Sequence, residues 1–578
     1  MPDIVIDFET HYEGGYSLKH LPPAQYLRDP RFAVLGAAIA LPGKPARYLT
    51  GATLTRALQA IPWHNVRLVA HNAAFDAAIL HMHYGHRPAA YACTMLQARY
   101  LIANGSLDAR LSTSLESLAP LVGMAKGNLE EATAEGELAA YAALDAEICR
   151  ALHEAHAPRI PAAELDYMDM HVRMAAEPVL ELDQNRLSKI ANSEKSLEKL
   201  FPIVRKDDTF AAALATLGVT PVFKTTNKGT YKLATAKTDG WLQSLDNHAD
   251  PKVRLLASVR RKASSTIERS RAQRFLDVGA PLPVPLLYYA AHTGRSGGQD
   301  KINLQNLPRK DGLRQCIIAP PGHKLVIVDS AQIEVRVLAW LAGQEDLLED
   351  FRQGKDPYVS FATVLYGVQP DQVSKDQRQV AKAAVLALGF GQGVNGFVGY
   401  CEQFGIPMDE ETAARIVSTY RRTYREISGG DMPPYRSRYG YWWQCERQVK
   451  ENGFTELPSG RKLTYPDLRI GEDGLEYRRH TIFAKAKSEG HTQLWHGKCV
   501  ENSIQACARD VVFHQTRRLH RAGWRVVLMV HDEAVLCVPE DRAEEALAAA
   551  EVSFGSTPPW APGLPTKGEG SIVERYGK

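Results

Sequence analysis

The chain has 578 residues, of which 23% are charged and 45% belong to the hydrophobic set AVILMFWYC. This balance is typical of a globular protein with several domains, and it excludes a disordered or collagen-like chain. The formal net charge of +3 is too small to indicate a nucleic-acid partner by itself. The N-terminus, MPDIVIDFET, carries acids where a secretory signal carries lysines, so we expect a cytoplasmic protein without membrane segments.

The first 155 residues alternate strand-like and helix-like runs, which predicts an α/β domain. Asp7 and Glu9 lie two residues apart in the first strand-like run, so both face the same side of the strand. Asp76 falls in the first turn of a predicted helix, and Tyr141 and Asp145 share one face of another. Together these acids supply enough oxygens for two hard cations. An acid-rich domain without activity is the alternative.

The prolines of HAPRIPAAE, residues 156–164, indicate a domain boundary. After this boundary, residues 165–280 have mostly an amphipathic helical pattern, which the turn-rich stretch KTTNKGTYK interrupts. Residues 252–274 hold eight cations and one acid, Glu268, on a helical pattern. Such a stretch is usually a solvated helix face, but its charge also suits a track for phosphates.

A second pair of acids lies in the C-terminal half, at the ends of predicted buried strands. KLVIVD ends at Asp329 and is followed by a turn and an apolar helix. The stretch LMVHDEAVLCV predicts two short strands joined by a turn at His531, Asp532 and Glu533. A buried carboxylate is costly unless it is paired or bound to a metal. The candidates are therefore a structural ion pair or a cation site, and Asp329 and Asp532 together could form the latter.

Between these acids lies RQVAKAAVLALGFGQG, residues 378–393. Arg378 and Lys382 are four residues apart on a predicted helix that has few other charges. Two cations at this spacing suit the binding of a triphosphate. A solvated helix face is the favoured alternative for these two residues when they are considered alone.

The acids of the first domain resemble, in order and spacing, the three motifs of the DEDDy 3′→5′ exonucleases. The stretches around Asp329, Lys382 and Asp532 resemble motifs A, B and C of family A DNA polymerases. Supporting stretches are HTGRSGGQDKINLQNLPR, LPSGRKLTY, WHGKCVENSIQACARD and PPWAPGLP. From about residue 3 to the C-terminus, the chain is similar to the phage-type members of that family.

This resemblance implies an RNase H-like exonuclease domain over residues 1–160 and a right-hand polymerase domain over residues 161–578. The thumb would lie at about 185–280, the fingers at about 345–430, and the palm in the remainder. No room remains upstream for a 5′ nuclease. The resemblance therefore favours a replicative enzyme of a phage or prophage that acts in the host cytoplasm.

The exonuclease part of the resemblance implies two bound Mg²⁺ ions, with Mn²⁺ as a substitute. Four acids hold the metal ions in that family, and here they would be Asp7, Glu9, Asp76 and Asp145. Tyr141 would orient the attacking water. Two such ions, roughly 4 Å apart, promote in-line displacement at phosphorus.

The polymerase part of the resemblance implies two further Mg²⁺ ions on Asp329 and Asp532, with Glu533 in a supporting role. Arg378 and Lys382 would hold the incoming triphosphate, and Lys382 would also protonate the pyrophosphate leaving group. Residues that contact the primer, the template or the nascent pair would be Arg295, Gln305, Asn306, Gln505 and His531.

Nucleotide selection depends on the remaining matched positions. Glu334 would crowd the sugar 2′ position and exclude ribonucleotides. Leu386 stands where the family has an aromatic residue, and Phe390 stands at a later tyrosine position. A tyrosine at position 386 would supply a hydroxyl in place of the missing 3′ hydroxyl of a dideoxynucleotide. Ser330 replaces the tyrosine that usually follows the motif A aspartate, a position that contributes mainly turn geometry.

Three other functions remain open from the sequence. A single-subunit RNA polymerase shares the palm chemistry, but Glu334 and the exonuclease motifs argue against it. An exonuclease with a vestigial polymerase half would degrade a primer without extending it. A non-catalytic DNA-binding accessory protein would do neither. The expected partners are primer-template DNA and deoxynucleoside triphosphates, and we expect a monomer.

Overall fold

The structure is a computed structural model of the whole chain. The described residues are 1–127, 135–193, 201–225, 230–235, 239–264, 267–308, 312–430, 440–472, 474–483 and 490–577.

A five-stranded mixed sheet forms the centre of the N-terminal domain. Its strands lie in the spatial order Arg47–Leu49, Val34–Ala40, Asp3–Thr10, Arg67–Ala70 and Ala90–Cys93. The central strand, Asp3–Thr10, is antiparallel to one neighbour and parallel to the other. The helices of this domain are Pro23–Arg28, Gly51–Ala60, Ala73–Tyr84, Thr94–Ala103, Leu115–Leu118 and Glu135–His156. The predicted α/β domain is therefore confirmed.

The two-residue period of the central strand decides which side chains face which layer. Its even-numbered apolar residues pack into the main hydrophobic core. Val5 instead belongs to a small core with Ala142 of the helix Glu135–His156. Asp7 and Glu9 lie on the same side of the strand as Val5, so both acids are directed toward this helix.

The helix Ala162–Ala176 joins the N-terminal domain to the rest of the chain. It packs against the N-terminal domain and also against the helix His496–Arg521. At this second contact Arg509 donates to Oε2 of Glu164 at 2.8 Å, and both side chains are buried. The proline-containing segment 156–164 thus leads into a helix that connects the two halves.

The region that follows is mostly helical, as its amphipathic pattern predicts. Its helices are Gln184–Ala191, Phe201–Arg205, Asp207–Ala215, Gly240–Ser244, Pro251–Ser264 and Ile267–Val278. The strands Phe223–Thr225 and Tyr231–Leu233 pair where KTTNKGTYK predicts an interruption. Phe210, Leu214 and Val253 belong to a hydrophobic core that is separate from the main one.

The basic segment 252–274 uses part of its charge within the fold. Arg260 is buried and forms an ion pair with Asp207. Arg261 forms an ion pair with Asp246. At least two of its cations are therefore paired with acids inside the fold, and the track for phosphates stays a prediction for the segment.

The C-terminal half is built on a four-stranded antiparallel sheet. Its strands lie in the spatial order Val526–Val530, Glu533–Pro539, His323–Ser330 and Gly568–Val573. The helix Ala543–Phe554 packs on the last two of these strands. The helix Ile333–Ala342 follows the strand that carries Asp329 and packs against His496–Arg521. This sheet is called the palm sheet below.

Helices follow the helix Ile333–Ala342 along the chain. They are Glu345–Arg352, Pro357–Tyr366, Lys375–Leu388, Val394–Gln403, Glu410–Thr423, Arg425–Ser428 and Tyr441–Asn452. Short strands form the remaining sheets, namely Glu181–Leu182, Leu286–Leu287, Gly297–Gly298, Ile317–Ile318, Phe454–Glu456, Lys462–Thr464, Arg469–Gly471, Gly474–Arg478 and His491–Gln493. Among the described residues, no helix is long and apolar enough to cross a membrane.

The hairpin turn of the palm sheet is one residue shorter than predicted. His531 and Asp532 form the turn, whereas Glu533 is already the first residue of the second strand. His531 has a φ of 53°, in the left-handed region. A two-residue connection between antiparallel strands requires such a conformation, because only then does the turn match the twist of the strands.

Candidate active sites

Asp76 connects the acids of the central strand to the helix behind them. It lies in the first turn of the helix Ala73–Tyr84, and its Oδ1 accepts the backbone N–H of Phe8 at 3.0 Å. Phe8 stands between Asp7 and Glu9 in the strand. The hydrogen bond therefore places Asp76 beside both acids, and the structure brings these three predicted site residues together.

The acids of the N-terminal domain raise one another's pKa. Burial, followed by repulsion from Asp76 and Glu9, raises the pKa of Asp7 well above its usual range. Burial and repulsion from Asp145 raise the pKa of Glu9 to about 7. Burial also raises the pKa of Asp76 to about 7. Burial, and after it the closeness of the acids, therefore disfavours their charged forms, and a bound cation would offset this cost.

Lys126 belongs to this site and was missed by the sequence analysis. Its ammonium forms an ion pair with Oδ2 of Asp145 and lies 4.9 Å from the centroid of the Tyr141 ring. Burial disfavours the charge, but the contacts with Asp145 and Tyr141 raise the pKa of Lys126. Lys126 lies in a loop that carries no recognisable motif, so no sequence pattern pointed to it.

The chemistry of these side chains fits a divalent metal ion, because carboxylate oxygens are the ligands that Mg²⁺ and Mn²⁺ prefer. The buried Oδ1 of Asp145 has no hydrogen-bond partner among the described residues. Throughout the ranges that the structure describes, no group of three or more His, Cys, Asp or Glu is arranged so that it could hold a metal ion. These acids are therefore candidate ligands by their chemistry, and metal binding at this site is a proposal.

Asp329 and Asp532 come together through the register of the palm sheet. Asp329 is directly opposite Glu533 in the antiparallel pair. The backbone N–H of the buried Ser330 donates to the carbonyl of Asp532 at 2.9 Å. The two acids are therefore neighbours at one end of the sheet, although they lie far apart in the sequence.

Arg295, Glu334 and His531 surround Asp532. Arg295 forms an ion pair with Glu334. Burial raises the pKa of Asp532, although its backbone hydrogen bond, His531 and Arg295 oppose this shift. Burial, together with the charge of Arg295, lowers the pKa of His531. The palm site thus combines acids with a cation of the protein itself.

A stripe of four predicted site residues runs along and just beyond the helix Lys375–Leu388. Arg378, Lys382, Leu386 and Phe390 are each half-buried, while the residues between Lys382 and Phe390, other than Leu386, are buried. Residues four apart lie on nearly the same helix face. Leu386 therefore shares an open face with the two cations, as the spacing predicts.

Asp356 and Tyr358 also lie at this face and were missed by the sequence analysis. Arg378 donates through Nε to Asp356 at 2.7 Å. The Tyr358 ring centroid lies 5.4 Å from the Arg378 guanidinium carbon and 5.8 Å from the Lys382 ammonium. The tyrosine ring thus contacts both cations, and a triphosphate that binds Arg378 would compete with Asp356.

The remaining predicted contact residues differ in accessibility. Gln305 is buried, and its side-chain amide donates to the carbonyl of Met529 at 3.3 Å. Gln505 is half-buried and donates to Glu501 at 3.2 Å, whereas Asn306 is exposed. Gln305 therefore supports the palm hairpin in this structure, while Asn306 and Gln505 are open to a ligand.

Two protein-family models match this chain. The model for DNA polymerase family A matches residues 216–565, which is more than half of the chain. The chain therefore belongs to DNA polymerase family A. The model for a 3′-5′ exonuclease matches residues 49–160, a range that contains Asp76, Tyr141 and Asp145. Domains of these two kinds generally depend on divalent metal ions.

Individual relatives are similar over part of their length. A DNA polymerase of Bacillus phage SP02 is 31% identical over 287 residues, which cover 46% of this chain and 43% of the relative. The thermostable DNA polymerase I of Thermus thermophilus is 30% identical over 275 residues, which cover 46% of this chain and 30% of the relative. The chain thus spans less than half the length of these relatives.

A solved structure shares the fold over nearly the whole chain. It is the POL domain of Pol1 from M. smegmatis in complex with DNA primer-template and dNTP, with a TM-score of 0.69 and 18% identity. The similarity covers 99% of this chain and 95% of that structure. At this identity the comparison shows the arrangement of the chain and nothing finer.

Proposed function

We propose that the protein is a template-directed DNA polymerase with a proofreading 3′→5′ exonuclease. Membership of family A and the exonuclease match support this proposal. The observation that carries it is the presence of two separate groups of acids, one around Asp7 and one formed by Asp329 and Asp532. Two groups of this kind suit two phosphoryl-transfer reactions on the same DNA strand.

The proposed division of the chain follows the two groups of acids. Residues 1–160 would form the exonuclease domain, and residues 161–578 would form the polymerase domain. Within the latter, the thumb would lie at about 185–280 and the fingers at about 345–430. Arg378 and Lys382 lie on the helix Lys375–Leu388, which falls between two strands of the palm sheet in the sequence. This position supports the assignment of the fingers.

In the polymerase reaction, Asp329 and Asp532 would hold two Mg²⁺ ions, which activate the primer 3′ hydroxyl and stabilise the developing charge. Arg378 and Lys382 would bind the triphosphate of the incoming nucleotide. Lys382 would also donate a proton to the pyrophosphate as it leaves. Glu334 would occupy the space that a ribose 2′ hydroxyl needs, so that deoxynucleotides are selected.

In the exonuclease reaction, the metal ligands would be Asp7, Glu9, Asp76 and Asp145. Tyr141 would orient the water that attacks the terminal phosphodiester, because its hydroxyl stands on the same helix face as Asp145. Lys126 would neutralise Asp145 until a metal ion is bound, since an unpaired buried carboxylate is costly.

Similarity to a phage polymerase supports a replicative role for a phage or prophage protein. The substrates would be primer-template DNA and deoxynucleoside triphosphates, and the protein would act as a monomer in the host cytoplasm. Mn²⁺ would substitute for Mg²⁺, because both ions accept carboxylate and water oxygens.

A primer-extension assay with Mg²⁺ and each deoxynucleotide in turn tests the proposal. We expect addition only of the nucleotide complementary to the template, shortening of the primer when nucleotides are omitted, and loss of both reactions in EDTA. Shortening without extension would indicate an exonuclease with a vestigial polymerase half. Absence of both reactions would indicate a non-catalytic accessory protein, and preferential use of ribonucleotides would indicate an RNA polymerase.

A further inference from the structure

The C-terminal tail, residues 574–576, continues from the last strand of the palm sheet and follows a neighbouring segment of the chain. The backbone N–H of Ala319 donates to the carbonyl of Glu574 at 2.9 Å, and that of Tyr576 donates to Ile317 at 2.8 Å. The side chain of Arg575 forms an ion pair with Asp183 at 2.7 Å. The tail is therefore fixed along its length by backbone and side-chain contacts.

Tyr576, in this tail, contacts a residue of the palm site. Its side chain is 1% exposed, and its hydroxyl donates to Oε1 of Glu533 at 2.8 Å. The Arg314 guanidinium lies 5.1 Å from the centroid of the Tyr576 ring. The ring is thus held in place, and the hydroxyl provides a fixed donor to a buried carboxylate. A hydrogen bond to a charged group is stronger than one between neutral groups.

The hairpin turn next to Glu533 needs support from its surroundings. His531 has a positive φ of 53°, which is uncommon for a residue other than glycine, and such conformations persist only where neighbouring contacts fix them. Ser330 donates to the carbonyl of Asp532, and Gln305 donates to that of Met529. The Tyr576 hydroxyl donates to the side chain of Glu533, the residue that directly follows the turn.

We propose that Tyr576 is a positioning residue for DNA synthesis. By orienting Glu533, it fixes the hairpin turn and so the position of Asp532 relative to Asp329. This inference rests on the proposed polymerase function, and it gives the C-terminal tail a specific part in that function. The contacts described above join Tyr576 to Arg314, Ile317 and Glu533 of the C-terminal half, so we expect its effect at the palm site rather than at the exonuclease acids.

The test compares Tyr576→Phe with the unchanged chain. The substitution removes one hydroxyl and keeps the ring, so circular dichroism should show a folded protein. We expect kcat for extension to fall about tenfold, the KM for deoxynucleotide to stay within about twofold, and 3′→5′ degradation to be unchanged. A general loss of structure would instead lower both reactions together, and that result would overturn the proposal.

Metal binding gives a second readout that does not depend on turnover. In a background with Asp7→Ala and Glu9→Ala, calorimetric titration with Mn²⁺ should report the palm site. We expect Tyr576→Phe to weaken this binding about tenfold, because residues that orient metal ligands typically contribute this much. Unchanged Mn²⁺ affinity together with unchanged kcat would overturn the proposal.

Two further variants separate the hydrogen bond from general loosening of the tail. Arg575→Gln removes the neighbouring ion pair with Asp183 and should leave extension unchanged. Glu533→Gln perturbs the same hydrogen bond from the other side, so its effect should not add to that of Tyr576→Phe. Additive effects, or an equal loss in Arg575→Gln, would overturn the proposal. Failure of the unchanged protein to extend any primer would refute the polymerase function itself.

Discussion

The two acidic sites of this chain balance their charge in different ways. In the exonuclease site, burial and mutual repulsion raise the pKa of Asp7 and Glu9, and Lys126 forms an ion pair with Asp145. In the palm site, Arg295 forms an ion pair with Glu334 beside Asp532. Buried carboxylates can thus be stabilised either by pairing with a nearby lysine, as at Asp145, or by hydrogen bonds from the surrounding protein, as at Glu533.

The palm site relies on fixed contacts of the backbone and of side chains. Asp532 is held through the N–H of Ser330, and Glu533 accepts a hydrogen bond from Tyr576. The exonuclease acids are less compensated, since Oδ1 of Asp145 is buried without a hydrogen-bond partner among the described residues. Buried carboxylates of this kind are costly, so the exonuclease site should depend more strongly on added cations.

The largest expected effect is the complete separation of the two reactions. Asp532→Ala should abolish primer extension and leave degradation of single-stranded 3′ ends unchanged. Asp7→Ala combined with Glu9→Ala should do the reverse, because the two sites use different carboxylates. Gel analysis of one labelled primer measures both reactions. Extension at the wild-type rate by Asp532→Ala would disprove the palm assignment, and loss of both reactions from either change would indicate misfolding.

Glu334 pairs with Arg295 in the palm site, and its side chain is the proposed barrier to ribonucleotides. If its side chain fills the space of a 2′ hydroxyl, Glu334→Ala should raise the ratio of kcat/KM for ribonucleotides over deoxynucleotides by about 100-fold. Glu334→Gln is the matched control, because it keeps the size of the side chain while removing the ion pair with Arg295. An equal change in both variants would show that selection depends on the charge of Glu334 rather than on its bulk.

Leu386 lies on the open face of the helix Lys375–Leu388, beside Arg378 and Lys382. Leucine offers no hydrogen-bond donor to a sugar, so we expect the wild type to discriminate against dideoxynucleotides. Leu386→Tyr should reduce this discrimination about tenfold, since one added hydrogen bond is worth roughly 1.5 kcal/mol. The ratio of kcat/KM for a deoxynucleotide and its dideoxy analogue should be measured in an exonuclease-deficient background.

Leu386→Phe is the control for this change, because it adds the ring without the hydroxyl. It should leave the discrimination close to that of the wild type. Efficient dideoxynucleotide incorporation by the wild type would contradict the interpretation of Leu386. An active Leu386→Tyr variant with an unchanged ratio would show that this side chain does not reach the sugar.

Local patterns in the sequence predicted much of the fold and several site residues. Alternation in DIVIDFE predicted that Asp7 and Glu9 share one side of a strand, and Val5 shows which helix that side faces. The intervals of four between Arg378, Lys382 and Leu386 predicted their common face. Such patterns are readable because each depends only on the geometry of one element.

Contacts between segments that are distant in the sequence could not be predicted from such local patterns. The sequence did not specify that Asp329 would stand opposite Glu533, because strand register depends on the whole sheet. Tyr576 follows a strand that is added at the edge of that sheet. Lys126 lies in a loop, where no period relates a residue to its neighbours. Each of these contacts depends on tertiary packing, which no local pattern contains.

The ion pair between Lys126 and Asp145 should have a small effect on metal binding at the exonuclease acids. Its ammonium pairs with one oxygen of Asp145, so its positive charge competes with a metal ion that binds this acid. Lys126→Met removes the charge and keeps a similar length, and it should therefore strengthen metal binding at the exonuclease site. We expect about fivefold tighter Mn²⁺ binding, which is a modest part of the Coulomb energy between close charges in a partly solvated site.

Calorimetry with Mn²⁺ in an Asp532→Ala background measures this affinity, because that change removes a ligand of the palm site. Lys126→Arg keeps the positive charge and should bind Mn²⁺ like the parent protein. Weaker Mn²⁺ binding by Lys126→Met would contradict the prediction and would mean that Lys126 holds Asp145 in its binding position. The sign of the change therefore decides between competition and support, since a displaced counter-ion lowers metal affinity whereas a positioning residue raises it.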